Sequence, residues 1–464
     1  MVSAATGWTP PVFRGSSAVA APLAPPSPGT AAEARPFTPH LPLAAKGLIA
    51  ALFVPFAVPV GSLLLSPSRL YLILAVVPCL FLWLSGAAGR VRAADILLLL
   101  LTMWTAISLA VVHGASAAIE PSGIFFIETM GAFLLARCTI RSAEAFHAMI
   151  GFLFKIALVL FPFAMLEALT GRNLILEVAN GVLPSFRDVP KEARLGLDRV
   201  QSVFEHPIHF GVVFGAIVAP TYYVLGYARS AAGRLSRTAF ITFMAFLALS
   251  SGPLTAVIMQ FLIMAWDRCL WFFRARWLVL LSGALVFVLL VELFANRSLP
   301  AILIDHFSFN SGTAYNRLRI WEYGSASVAN NPVFGIGFNE WERPAWMTGS
   351  MDMFWLLPGV QNGLPAALLL QFAFIGTIIA VSRRAMPDER SESCKMGFLI
   401  CLVGLYAAGW TVHYWKAVYV LFMFIWGSGF WLLDLQSRAS RTSGAEDPLF
   451  GDRVAPQLGP PAPA

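Results

Sequence analysis

Charge is what this sequence has least of. Only 12% of its 464 residues are Asp, Glu, Lys or Arg, while 58% are hydrophobic. A soluble domain of that size carries roughly 25% charged residues. A chain so poor in charge cannot cover itself with polar surface, and its mean hydropathy of +0.72 points the same way. That excludes an ordinary soluble protein and leaves lipid as the surroundings of most of the chain. Cysteine is scarce too. The five (Cys79, Cys138, Cys269, Cys394 and Cys401) fall in predicted helices or on the predicted cytoplasmic side, so no structural disulfide is expected. A secretory signal is missing from the start: Met1 to about Leu43 is rich in Pro, Ala and Ser and has no apolar core. Residues 1–45 and 437–464 read as disordered cytoplasmic tails around a transmembrane domain at 46–436. The net charge of +7 does not signal nucleic acid, because the basic residues are dispersed over short loops rather than gathered on one face.

Long apolar runs are what the sequence does have. About 20 residues are needed to cross a bilayer core. Twelve segments are predicted to do so, at 46–65, 69–88, 95–113, 121–140, 147–170, 209–228, 238–251, 252–272, 276–296, 361–382, 396–414 and 416–435. The fold class expected is therefore all-α, a polytopic membrane protein of about 12 transmembrane helices. Ser250-Ser251-Gly252-Pro253 interrupts one continuous apolar stretch, and Gly-Pro reads as a tight turn between two helices. Arg90 and Arg92, Arg137 and Arg141, Arg229, Arg234 and Arg237, Arg268, Arg274 and Arg276, and Arg383, Arg384, Arg390 and Lys395 fall in alternate loops. The positive-inside rule then places both termini in the cytoplasm. Arg69 and Lys416 are the exceptions, on the outer side.

Two long segments remain, at about 171–208 and 297–360, both on the periplasmic side of this topology. Long connections of this kind are where function concentrates. The first contains Arg194, Asp198, Arg199, Glu205, His206 and His209; the second contains Arg317, Arg319, Trp321, Trp341, Trp346, Asp352 and Trp355. Guanidinium groups bind phosphate bidentately and remain charged at any relevant pH, so arginines near a bilayer surface suit a lipid pyrophosphate. Tryptophan offers a face for a sugar ring or an interfacial anchor. A nearby carboxylate can accept a proton from an attacking hydroxyl. Taken singly, each arginine is better explained by pairing with a glutamate or a lipid phosphate. His206 and His209 flank Pro207 at a helix start, which is a poor arrangement for a metal, and no metal or other cofactor is expected.

A run of short motifs resembles the O-antigen ligase and O-antigen polymerase family. They are Arg199 followed by Phe204-Glu205-His206-Pro207, the break Ser250-Ser251-Gly252, Arg317 four residues before Trp321, and the turn Asn331-Pro332…Gly335-Ile-Gly337. The resemblance covers residues 95–430. It implies a glycosyltransferase-C-like membrane enzyme in a bacterial inner membrane, joining undecaprenyl-pyrophosphate-linked glycans at the periplasmic face. By the same resemblance Arg199 and Arg317 hold the pyrophosphate leaving group. Asp352, ten residues before Gly363, occupies the position of the family's histidine and would be the base. Arg194, Arg319, His206, Trp321 and Trp355 are further substrate-binding candidates. An Asp in place of that His leaves a polymerase or exopolysaccharide role favoured over a ligase; Arg319, fifteen residues before Gly335, also suits the Arg-rich pattern of polymerases. The implied chemistry is metal-independent inverting glycosyl transfer. The implied partners are a lipid-linked glycan donor, a glycan acceptor, membrane lipids and other polysaccharide-assembly proteins.

Other polar residues have plainer expectations. Glu128 and Lys155, at similar depth in adjacent helices, are expected to form an ion pair. Glu167 and Glu292 lie near helix ends where a carboxylate reaches water, and His113 and His413 are taken as structural. Asn296-Arg297-Ser298 matches a glycosylation tripeptide that chance often produces. The alternatives to a transferase are a lipid-linked glycan transporter or flippase, and a non-catalytic partner of a glycan-assembly complex. A transporter is expected to show internal repeats and a row of buried charges, and the sequence shows neither clearly.

Overall fold

The structure is a computed structural model that describes residues 37–61, 63–189, 191–294 and 311–435. The tripeptide at 296–298, the C-terminal tail at 437–464 and the tail at 1–45 up to residue 36 lie outside the described residues. The protein is mostly helical. In chain order the helices are α1 (Leu43–Leu52), α2 (Pro67–Leu84), α3 (Ala93–His113), α4 (Ala115–Thr139), α5 (Ala143–Thr170), α6 (Leu174–Asn180), α7 (Pro207–Leu225), α8 (Ala231–Phe246), α9 (Ser251–Cys269), α10 (Arg276–Phe294), α11 (Ser311–Asn330), α12 (Leu357–Ser382), α13 (Glu389–Gly409) and α14 (Ala417–Asp434). Eight of them (α2, α3, α4, α5, α7, α12, α13 and α14) are long and apolar enough to cross a membrane, which makes this a multi-pass membrane protein.

The first predicted span, 46–65, is not one helix. Pro55, Pro59 and Gly61 interrupt it, since proline lacks the donor a helix interior needs. The chain forms only α1 there, then a short antiparallel hairpin, β1 (Val58–Val60) against β2 (Leu63–Leu65). At the Gly-Pro break the chain does turn: α8 stops at Phe246, Leu249 takes a left-handed φ of 45°, and α9 starts at Ser251. The expected pairing of Glu128 with Lys155 is replaced by another. Lys155 is exposed, and Glu128 accepts from Arg69 of α2 at 2.8 and 2.9 Å. Similar depth was not enough to choose the partner, which came from a helix distant in sequence.

The helices differ sharply in how much of them the protein covers. About 89% of the apolar stretch of α7 and 83% of that of α14 is buried, against 28% in α2. These two are thus the interior of the bundle, and α13 packs beside α7. Around α14 an aromatic cluster of Phe354, Phe374, Tyr406, Tyr414, Phe422 and Trp426 interlocks, with ring centroids about 5 to 6 Å apart. Aromatic pairs in such contact add roughly 0.5–1.5 kcal/mol each beyond their buried area. Helix α3 lies along α12, and α4 along α14.

The Asn331-Pro332…Gly335-Ile-Gly337 turn folds directly onto the start of α12. Ile336 N–H donates to the Val360 carbonyl at 2.9 Å, Gly337 N–H to Gln361 at 2.8 Å, and Leu364 N–H to Pro332 at 2.8 Å. Gly363 has φ +81°, and a Cβ there would strike the Val333 carbonyl. Backbone approach this close admits only glycine. Gly363→Ala should therefore destabilise the protein by about 2 kcal/mol or more. Gly376→Ala, on the same helix with open space around it, should be neutral or mildly stabilising. Thermal melting of the two purified variants checks this; equal melting temperatures would contradict it.

Candidate functional site

The site lies where the interior helices begin. His206 caps the start of α7, its Nδ1 accepting from the Ile208 N–H at 3.1 Å, and Pro207 occupies the first helical position. Proline suits that place because its missing donor would have no partner there. Lys416 stands at the start of α14, and the last turn of α13 leads into Thr411. Three buried helices thus bring residues 206, 411 and 416 to one end of the bundle.

The first long connection is fastened to this end by Glu167. Expected near water, that carboxylate is only 1% exposed. Its Oε1 accepts from Lys191 Nζ at 2.6 Å and from the Gln201 N–H at 2.8 Å, and its Oε2 from the Ser202 N–H at 2.9 Å. The cause is the descending chain: residues 198–202 lie along the end of α5, where the Asp198 N–H donates to the Ala168 carbonyl at 2.9 Å. Charge-assisted bonds of this kind are about twice as strong as neutral ones. Nearby, Val200 N–H donates to the Leu247 carbonyl at 3.0 Å, which sets residues 194–199 against the turn before α9.

Three arginines converge there. Arg194 donates to the Leu249 carbonyl at 2.8 Å and Arg199 to Ala248 at 3.2 Å. Arg317, on α11, donates to the Thr411 carbonyl at 2.6 Å. The two acceptor segments adjoin, since a Cβ on Gly252 would sit 2.8 Å from Thr411 Oγ1. None of the three forms an ion pair with a carboxylate among the described residues. Three nearby acids are engaged by other groups: Glu167 and Asp188 by Lys191, and Glu205 by Lys416 and by Trp415 Nε1 at 2.8 Å. Burial pushes Arg199 down to about 10, with Arg194 adding to the effect and Glu192 opposing it. Burial likewise lowers Arg317, against the pull of Asp352, and Arg194 lowers it further. Guanidinium groups keep their charge at neutral pH. Like charges confined together in this way cost stability that a bound anion recovers.

Asp352 is set beside them. Burial raises its carboxyl above the ordinary value, while Arg317 lowers it. The two lie within electrostatic reach without a direct ion pair among the described contacts. The loop is held by its neighbours: Phe354 N–H donates to the Val412 carbonyl at 3.1 Å, and Trp355 Nε1 to Tyr406 at 2.8 Å. His206 joins the cluster electrostatically. Burial first, then Arg199, Lys191 and Arg194, bring its imidazole down to about 4.

Other candidates are placed elsewhere. Trp355 is 2% exposed and stacked among Phe354, Phe374 and Tyr406, so it anchors the loop and presents no free face to a sugar. Arg319 points away, over the Trp346 ring at 4.7 Å. Trp321 is half exposed and packs edge-on against Trp410. His413, taken as structural, lines two cavities. A groove of about 360 Å³ runs between α3, α4, α12 and α14, lined by Leu101, Leu109, Ile124, Phe125 and Tyr419 together with Glu128, His413, Trp415 and Lys416. A second cavity of about 350 Å³, bordered by Asn339, Trp341, Arg343 and Gln361, shares His413 with it. The signal for Lys416 was present in the sequence, as an exception to the charge bias. His413 carried none.

No protein-family model matches the chain, and no curated protein matches it.

The His206 environment has a pH consequence. An unfolded imidazole titrates near 6.5, so between there and about 4 the unfolded chain takes up a proton that the folded one refuses. Stability is complete above pH 6.5 and is lost as pH falls toward 4. His413, pushed down to about 4 by burial, contributes in the same direction. His206→Asn, which retains a capping side chain, should reduce the fall in melting temperature between pH 7 and pH 4.5 by about 3 °C or more. An unchanged fall would remove His206 from the cluster.

Proposed function

We propose that this protein transfers a glycan from a lipid pyrophosphate carrier to a sugar hydroxyl, as a membrane-embedded glycosyltransferase of the polysaccharide polymerase or ligase type. The observation that carries the proposal is the set of three arginines, none with a carboxylate partner among the described residues, beside a largely apolar groove. Arg317 is held by Thr411, two residues from the His413 that lines the groove. An apolar groove, a cationic centre and an aromatic, polar cavity in succession match the three parts of a polyprenyl-pyrophosphate glycan: chain, pyrophosphate and sugar. The resemblance described from the motifs agrees, and its Arg199, Arg317 and Asp352 lie together here. In this reading about a dozen segments cross the bacterial inner membrane, both termini are cytoplasmic, and the site faces the periplasm.

In the reaction, an acceptor hydroxyl attacks the anomeric carbon of the donor. The bond from that carbon to the phosphate oxygen breaks, and the electron pair leaves with undecaprenyl pyrophosphate. Arg194, Arg199 and Arg317 stabilise the charge that develops on the leaving group, the place where fixed cations contribute most. Asp352 accepts the hydroxyl proton. Its burial favours this, because a base works best with a pKa raised toward the operating pH. The attack proceeds from the face opposite the leaving group, so the configuration inverts.

Arg199→Ala or Arg317→Ala should reduce polymer at least about 100-fold while the protein still accumulates in the membrane. Asp352→Asn should lower activity roughly 100-fold or more. Full polymer from both arginine variants would sink the proposal; normal polymer from Asp352→Asn would remove only the base. The glycans of a deletion strain distinguish the subtypes. Single lipid-linked repeats identify a polymerase, and long polymer still on its carrier a ligase. Loss of all repeats from the periplasmic face would identify a flippase and overturn the transferase.

A further inference from the structure

The far end of the same helices holds a second cationic cavity. Helix α7 runs 19 residues from His206 to Leu225 and α9 runs 19 residues from the Ala248–Ser250 turn to Cys269, each about 28 Å. Helix α13 starts at Glu389 and ends beside Thr411. Their distal ends enclose about 510 Å³ bordered by Tyr223, Tyr227, Arg234, Arg268, Glu389 and Ser393. The cavity is therefore separated from the arginine cluster by roughly the thickness of a hydrocarbon core.

Its cations are pre-positioned. Arg268 lies over the Tyr223 ring at 4.8 Å, and Arg234 over Tyr222 at 5.2 Å, with Arg234 Nε donating to the Gly226 carbonyl at 3.1 Å. A buried carboxylate beside the cavity, Asp267, is shared three ways. It accepts from the Tyr223 hydroxyl at 2.6 Å and pairs with Arg268 at 3.3 Å and Arg276 at 3.1 Å. Arg234 has no carboxylate partner among the described residues, and the exposed Glu389 is the single acid on the cavity wall. Positive charge is left over. The segment after α9 then presents Trp271, Phe272 and Phe273 to the surroundings, all exposed. Aromatic residues gathered at the end of a spanning helix sit at the level of lipid headgroups. A basic cavity between helices at that depth recognises an anionic headgroup.

We propose that this cavity binds the phosphate of an anionic phospholipid, whose acyl chains lie along the exposed apolar sides of the adjoining helices. Arg234 and Arg268 hold the phosphate oxygens, and the Tyr227 and Ser393 hydroxyls can donate to the rest of the headgroup. The site is independent of the glycan chemistry, so it stands or falls separately.

The test uses the purified full-length protein in neutral micelles, supplemented with phosphatidylglycerol, phosphatidylcholine or millimolar inorganic phosphate. Thermal melting and native mass spectrometry are the readouts. Phosphatidylglycerol, and not phosphatidylcholine, should raise the melting temperature and remain bound in the mass spectrum. Arg234→Gln should weaken that binding about tenfold, the loss of one charge-assisted contact. Arg268→Lys, which keeps a cation for Asp267 and so protects the fold, should weaken it as well. Equal effects of the two lipids on the unsubstituted protein would overturn the proposal, as would full binding by both variants. A rise with inorganic phosphate equal to that with phosphatidylglycerol would assign the site to a soluble phosphate and discard the lipid.

Discussion

The Glu167 carboxylate fixes the geometry on which the site depends. It draws two backbone N–H groups and the Lys191 ammonium onto the end of α5. Without it, two buried donors would be stranded, at a cost of about 1–3 kcal/mol each. The residues it ties down, 191–202, are the ones that carry Arg194 and Arg199 to the carbonyls of Leu249 and Ala248. Pinned by a buried charge, a long connection that would otherwise be free to move becomes a rigid support. Arg317 reaches the same place from the other long connection, and Phe354 and Trp355 secure the loop of Asp352 in the aromatic core around α14.

Charge balance separates two kinds of cation. Arg69 and Lys416 are the two basic residues that break the alternating pattern of the loops, and each has a carboxylate: Glu128 for Arg69 and Glu205 for Lys416. Arg137 is likewise paired, with the buried Asp95. Arg194, Arg199 and Arg317 are different, being supported by neutral carbonyl oxygens that orient a guanidinium without cancelling its charge. Such a support is suited to an anion that arrives and leaves.

Much of the bundle was legible because membrane burial demands long apolar runs, and eight of these are helices of spanning length. The Gly252-Pro253 break was legible for a similar local reason. Residues 46–65 misled because composition alone hid the prolines that divide the run into a helix and a hairpin. Tertiary partners were harder to read. Lys155 was the depth-matched neighbour of Glu128, yet α2 packs there and supplies Arg69. Glu167 looked solvent-accessible because it stands at a helix end, and nothing local announced that residues 198–202 would cover it. In the site, Arg199, Arg317 and Asp352 were named from short motifs, but their convergence rests on the carbonyls of Ala248 and Thr411, which no side-chain pattern can reveal. Trp355 resembled a sugar platform only by residue type; its neighbours place it in the core.

Arg194, Arg199 and Arg317 are proposed to serve bond formation at a lipid pyrophosphate. The direct measurement is an assay of the purified protein in vesicles with a defined undecaprenyl-pyrophosphate-linked oligosaccharide, following glycan length and carrier release together. The account predicts longer or transferred glycan, with one undecaprenyl pyrophosphate released for each glycosidic bond, and inverted configuration at the joined carbon. Movement of the donor across the vesicle membrane without any new bond would contradict it.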